Sequence, residues 1–216
     1  SMLKEILKNT HLHFFGNIDY KISIIAVGGY GRGELAPHSD LDLLFLTQKN
    51  LKHIETKKIE RVIQVILYIL WDLGYKVGHS TRTIVDCIKK SKSDLTIFTS
   101  LLEKRFITGN EKNFVLLKSQ FNAFIANMKT LSFVEAKLKE SDLRHKKFGG
   151  SRYVVEPNVK DGKGGLRDLH TLIWISKFVY RADSISKLIK MGALSKNEAL
   201  AFAEAQRFLL SVRCHL

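Results

Sequence analysis

The sequence predicts an α+β protein, with a small mixed-sheet domain over residues 1–110 and an all-helical domain over residues 111–216. Three observations carry this expectation. Two short apolar runs, 20–27 and 41–46, have the length and composition of strands. A long amphipathic helical pattern follows the second of them. Beyond residue 111 every patterned segment has helical periodicity.

In chain order, residues 3–15 show a weak helical pattern. Tyr20 to Val27 reads as a strand that becomes fully buried toward its end. Leu41 to Leu46 is a second strand, with Leu44 and Leu46 on one face and Leu43 and Phe45 on the other. Apolar residues on both faces imply a sheet covered on both sides. Residues 54–73 place Ile54, Ile59, Val62, Ile63, Ile66, Leu67, Ile69 and Leu70 at helical spacing, ended by Gly74. A third strand is expected over Tyr75–Ile84. Asp94 is expected to N-cap a helix running through Arg105 and ending near Gly109. Helices follow over 111–128, 132–147, 168–181, 184–191 and 195–215, the last opened by the capping box Ser195-Lys196-Asn197-Glu198. An irregular polar stretch, Gly149 to Gly165, separates the second and third of these helices.

The apolar (45%) and charged (26%) fractions are those of an ordinary globular protein. A formal charge of +14 points to an anionic partner such as a nucleotide, a nucleic acid or an acidic protein, without choosing among them. Solvated lysine faces account for part of that excess. Cys87 and Cys214 have no metal-type spacing and fit idle thiols in a reducing compartment. With no secretory leader pattern and no apolar run of about 18 residues, a cytoplasmic location without membrane contact is expected. Ser1 before Met2, and a C-terminus inside a helical pattern, suggest a piece of a longer protein, the helical domain being truncated.

The chemistry lies in the run Val27-Gly28-Gly29-Tyr30-Gly31-Arg32-Gly33-Glu34-Leu35-Ala36-Pro37-His38-Ser39-Asp40-Leu41-Asp42. Alternation along a strand sends Asp40 and Asp42 to one face. Two carboxylates beside a glycine turn can hold Mg²⁺ against nucleotide phosphates. Such charges inside an otherwise apolar strand need compensation, which the metal would supply. Two other readings fail on context. Gly31-Arg32-Gly33-Glu34-Leu35-Ala36 fits a dinucleotide fingerprint, but Pro37 and a short turn leave no room for the helix that fingerprint needs. The phosphate loop fails because Glu34-Leu35 follows Gly33 in place of Lys-Ser/Thr.

Gly28-Gly29 … Ser39-Asp40-Leu41-Asp42 resembles the signature of the DNA polymerase β-type nucleotidyltransferase superfamily. The fuller Val-Gly-Gly-Tyr-Gly-Arg-Gly-Glu-Leu string narrows the resemblance to the PII uridylyltransferase family, the uridylyltransferase/uridylyl-removing enzymes of bacterial nitrogen signalling. Three later stretches agree: Trp71-Asp72-Leu73-Gly74 through Thr83, Asp94-Leu95-Thr96 through Glu103, and Glu156-Pro157-Asn158-Val159-Lys160 through Asp168. The resemblance implies a polymerase β-like catalytic domain and transfer of UMP from UTP to a tyrosine of the PII protein, releasing pyrophosphate. It implies Mg²⁺ on Asp40 and Asp42 as catalytic and metal-binding residues. Gly28, Gly29, Ser39, Arg32 and Arg82 would contact the nucleotide.

Family members commonly carry a third carboxylate on a neighbouring strand, and here Val77-Gly78-His79-Ser80-Thr81-Arg82 contains none. Asp94, Glu156 and His79 are the available substitutes. The cationic, glycine-rich stretch from Arg144 to Arg167 reads as a wall of the nucleotide cleft or a PII-docking surface. The uridylyl-removing activity resembles that of phosphohydrolases needing a His-Asp dipeptide, and none of the eight histidines precedes Asp, so only the transferase half is expected. Two alternatives stand beside this reading: a degenerate, nucleotide-binding regulatory domain, and a nucleotidyltransferase acting on RNA. The run lacks the interleaved aromatics of a single-strand platform, so nucleic acid is not the expected partner.

Overall fold

The computed structural model describes residues 22–49, 51, 53–148, 158–182 and 184–216, together with residues 5, 8, 9, 12 and 13. Contacts divide the chain into two compact units, residues 1–126 and 127–216. The mixed α+β architecture agrees with the expected fold class.

In the first unit the strands are β1 (Ile22–Ala26), β2 (Leu41–Thr47), β3 (Val77–Thr83) and β4 (Arg105–Gly109). They form one sheet in the order β3-β2-β1-β4. β1 pairs antiparallel with β2 and β4, while β2 and β3 are parallel. A parallel pair needs a long crossover, supplied here by α2 (His53–Asp72). The five-residue helix α1 (Gly28–Arg32) precedes β2. After β3 come α3 (Ile84–Ser93), α4 (Leu95–Leu102) and, beyond β4, α5 (Glu111–Ala126).

Both faces of the central strands are buried. Ile22, Ile24, Ala26, Leu41, Leu43 and Phe45 pack with Ile59, Val62, Ile63, Ile66, Leu67 and Leu70 of α2. On the opposite face α5 packs on β1 and α3 on β3. Phe98 and Phe121 meet there with ring centroids 5.5 Å apart. The sheet is therefore covered on both sides, as the apolar pattern of β2 requires.

Three expectations need correction. The helix capped by Asp94 stops at Leu102, and Arg105–Gly109 is a strand. Antiparallel pairing with the edge of β1 captures that segment, a long-range contact that overrides local helical pattern. The third strand ends at Thr83, whose side chain forms a capping box with Asp86 and starts α3, a helix that periodicity had not separated. The glycine run does hold a helix, the single turn α1. It opens at Gly28 and closes at Gly33, whose φ of 80° is left-handed, so the Gly31–Ala36 fingerprint lies across its end and still opens no helix. The expected strand residues 20 and 21, and the N-terminal helical pattern apart from residues 5, 8, 9, 12 and 13, lie outside the described residues.

The second unit contains α6 (Thr130–Phe148), α7 (Leu166–Val179), α8 (Ile185–Lys190) and α9 (Lys196–His215). Phe133 of α6 and Phe178 of α7 stack at 4.2 Å between ring centroids. Buried Lys137 lies over the Trp174 ring at 4.3 Å and pairs with Glu140 at 2.8 Å. Burial holds its ammonium below the ordinary lysine pKa, partly offset by Glu140. The Ser195–Glu198 capping box is formed.

Asp168, at the start of α7, ties the preceding turn to α6. It accepts from the Gly164 N–H at 2.8 Å, contacts His145 at 2.8 Å and pairs with Arg144. Burial raises its pKa, but the Gly164, His145 and Arg144 hydrogen bonds outweigh this and leave it lowered from 3.8. A carboxyl whose pKa falls on folding stabilises the fold above its ordinary value and loses that contribution as pH drops through the folded value. Asp168→Asn is therefore expected to lower the unfolding midpoint at pH 7, with the gap to wild type closing as the pH falls below the ordinary carboxyl value of 3.8, measured by denaturant titration.

Candidate active site

The site forms where β1, β2 and β3 meet. β1 ends at Ala26, and the Val27 N–H donates to the Asp42 carbonyl at 3.0 Å, which ties the glycine turn to β2. Leu41 donates to the Lys76 carbonyl at 2.8 Å, fixing the entry to β3. The parallel register sets Asp42 beside Gly78, Leu44 beside Ser80 and Leu46 beside Arg82. Side chains at these paired positions share one face.

Asp42 is the second residue of β2 and half-buried. Its carboxylate lies in a cradle of two glycines. A Cβ on Gly28 would come within 2.7 Å of one carboxylate oxygen, and a Cβ on Gly78 within 2.6 Å of the other. Both are closer than packed atoms approach, so the carboxylate occupies space that only glycine leaves. Gly28 also has φ of +56°, a left-handed conformation that glycine adopts without strain. Gly28 and Gly29 are the first two residues of α1.

Asp40 directly precedes β2 and is exposed, and Ser39 is half-buried before it. The turn leading to them is closed by Ser39 N–H donating to the Ala36 carbonyl at 3.1 Å. His38 in that turn has φ of 59°, a costly conformation for a side-chain-bearing residue. Asp42, Gly28 and Gly29 are thus brought together, and Ser39 and Asp40 stand at the mouth of the same strand.

Arg32 and Arg82 are placed differently. Arg32 donates through Nε to Glu34 at 2.9 Å and pairs with Glu103, whose side chain is fully buried. Arg82 lies four residues beyond Gly78 on β3, about 13 Å by strand rise, toward the opposite end of the strand. It is close enough to the buried Cys87 to oppose the burial that raises that thiol to about 11. Its Nε is buried without a hydrogen-bond partner.

Among the described residues, the substitutes for a third acid do not gather at Asp42. The Asp94 carboxylate caps α4, accepting from Thr96 and Ile97 at 2.8 and 3.1 Å. His79 alternates to the other face of β3, edge-on to Phe45 at 6.5 Å. Glu156 lies outside the described residues, as does the Gly149–Pro157 part of the cationic stretch. Gly78 is the residue that motif reading missed. Its signal was a glycine inside a strand, which marks close approach of another group.

Two outcomes follow from this geometry. Gly78→Ala is expected to displace the Asp42 carboxylate and weaken divalent-metal binding at least about tenfold, read by Mn²⁺ titration, because the added methyl overlaps its oxygen. Arg32→Ala is expected to cost about 3 kcal/mol of stability in urea unfolding, because it removes the guanidinium paired with the buried Glu103 carboxylate.

Comparison with known proteins matches residues 4–107 to the nucleotidyltransferase domain family and residues 132–216 to the GlnD PII-uridylyltransferase family. Relatives named bifunctional uridylyltransferase/uridylyl-removing enzyme occur in Azospirillum brasilense, Rhodospirillum rubrum and Novosphingobium aromaticivorans. The first is 53% identical over 193 residues, 89% of this chain and 20% of the relative. The second is 48% identical over 209 residues, 96% of this chain and 22% of the relative. The third is 46% identical over 223 aligned positions, spanning 100% of this chain and 24% of the relative. The chain thus spans about a fifth to a quarter of the length of these relatives. With its glycine turn and Asp-Leu-Asp strand lying in the nucleotidyltransferase domain, the chain belongs to the GlnD uridylyltransferase family.

Proposed function

We propose that this chain carries out Mg²⁺-dependent transfer of UMP from UTP to a tyrosine hydroxyl of the PII signalling protein in the cytoplasm, releasing pyrophosphate. The observation that carries the reading is the Asp42 carboxylate seated between Gly28 and Gly78 beside the glycine turn. The relatives' names support uridylyl transfer in general. Among the described residues no helix is long and apolar enough to cross a membrane. The division of labour is a catalytic part over residues 1–110 and a helical part over 111–216. By contacts α5 stays with the sheet unit.

The donor set fits a hard divalent cation. Asp40 and Asp42 supply carboxylate oxygens and Ser39 a hydroxyl, with no soft ligand among them. The glycine cradle fixes the Asp42 carboxylate in advance, so little side-chain freedom is lost on binding. Bound Mg²⁺ would neutralise charge on the triphosphate and on the attacking and leaving oxygens. Gly28 and Gly29 let the backbone approach the phosphates closely and offer N–H donors. The Ser39 hydroxyl adds another. Arg32 acts on the nucleotide through the turn it stabilises, since Glu34 and Glu103 hold its guanidinium. Arg82 would reach only a ligand extending along β3.

A second reading, nucleotide binding without turnover, is favoured by one feature: β3 reads Val-Gly-His-Ser-Thr-Arg-Thr and carries no acid beside Asp42. The deciding experiment incubates the chain with α-labelled UTP, Mg²⁺ and PII and follows label on PII and pyrophosphate release. Transfer is expected, with Asp40→Asn and Asp42→Asn each lowering it at least about a thousandfold while the circular dichroism spectrum is unchanged. UTP binding without pyrophosphate release would favour the regulatory reading.

A further inference from the structure

We infer that Arg105 is a positioning residue for the metal-binding carboxylate, acting from β4 through the glycine turn. The inference rests on the proposed metal–nucleotide site and adds a residue that the Gly-Gly … Asp-Leu-Asp run does not contain.

A five-residue helix cannot hold itself. Helix nucleation is unfavourable, and a single turn leaves its terminal carbonyls without intrahelical partners. α1 must therefore be held from outside, and one short segment does so. The Arg105 Nε donates to the Gly31 carbonyl at 3.1 Å and its guanidinium donates to the Tyr30 carbonyl at 2.6 Å. A cation on the last carbonyls of a helix also suits the local dipole. The same guanidinium lies over the Tyr30 ring, 5.1 Å from its centroid. Two residues earlier, the buried Glu103 takes Arg32, and its carbonyl lies where a Gly31 Cβ would be, at 2.2 Å. Gly31 is thus pressed against the chain that carries both side chains.

Strand pairing explains the reach. Arg105 sits opposite Ala26, the last residue of β1 before the turn. The turn is gripped from two sides: β4 holds the far end of α1 through Arg105, and β2 holds its entry through the Val27–Asp42 backbone hydrogen bond at 3.0 Å. Gly28 lies between these grips, directly against the Asp42 carboxylate. Loss of the Arg105 grip leaves the end of α1 held by the Arg32–Glu103 pair alone, with the Tyr30 and Gly31 carbonyls no longer anchored to β4. The turn then shifts over Asp42, and the carboxylate loses the wall that fixes its rotamer. Arg105 itself is exposed, and the one core side chain its guanidinium covers is Tyr30, which the methionine chain of Arg105→Met can still cover.

The test measures Mn²⁺ binding in the presence of UTP by electron paramagnetic resonance for wild type, Asp42→Asn, Arg105→Met and Arg105→Lys. Wild type is expected to bind, and Asp42→Asn to lose that binding. Arg105→Met is expected to bind Mn²⁺ about tenfold more weakly, as misplacement of a ligand by a fraction of an ångström would produce, with its ligand-free thermal midpoint within about 3 °C of wild type. Arg105→Lys, which keeps the charge and one donor, is expected to fall between the two. Wild-type affinity in both Arg105 variants overturns the inference while the site stands. Loss of affinity in proportion to lost thermal stability overturns it too, since a merely structural residue would behave that way. Absence of Mn²⁺ binding by wild type overturns the reading of the site, and the inference falls with it.

Discussion

The contact of one carboxylate with two glycines organises the functional end of this molecule. Asp42 enters the sheet from the mouth of β2, and its oxygens fill the places where side chains at Gly28 and Gly78 would stand. This requires three strands in a fixed register. Parallel pairing brings Gly78 beside Asp42, and the end of β1 carries Gly28 across the same face. A one-residue slip of β3 would set Val77 or His79 beside Asp42 in place of Gly78. The same arrangement leaves Gly28 in a left-handed conformation and α1 too short to stand alone. The buried Arg32–Glu103 pair and the Arg105 grip supply the support that the turn lacks.

Much of this was legible in the sequence, for physical reasons that can be named. β1 and β2 announce themselves because both faces of each are apolar. α2 does so because eight apolar residues repeat at helical spacing over five turns. Ser195 and Asp94 mark helix starts through side chains that accept orphan N–H groups. Asp40, Asp42, Gly28 and Gly29 stand out because two acids opening an apolar strand after a glycine pair are hard to explain structurally.

What stayed hidden depends on distant partners. β4 is five residues long and continues a helical pattern, and only its pairing with β1 makes it a strand. Arg32 reads as a loop cation available to phosphate until its partner 71 residues away is known. Arg82 shares a face with Asp42 by alternation, yet distance along β3 separates them. The role of Gly78 needs the register between β2 and β3, which no local pattern specifies. The helical unit repeats the lesson: Asp168 draws Arg144 and His145 from another helix, so part of the cationic stretch that suggested a docking surface is engaged in holding a turn.

In the proposed function, Asp40 and Asp42 jointly hold a divalent cation against the triphosphate of UTP. Anomalous diffraction from crystals grown with Mn²⁺ and a non-hydrolysable UTP analogue tests it most directly. A manganese peak is expected about 2.2 Å from an oxygen of each carboxylate, with the triphosphate against Gly28 and Gly29. A triphosphate bound elsewhere on the chain, or a manganese peak touching neither carboxylate, would contradict it.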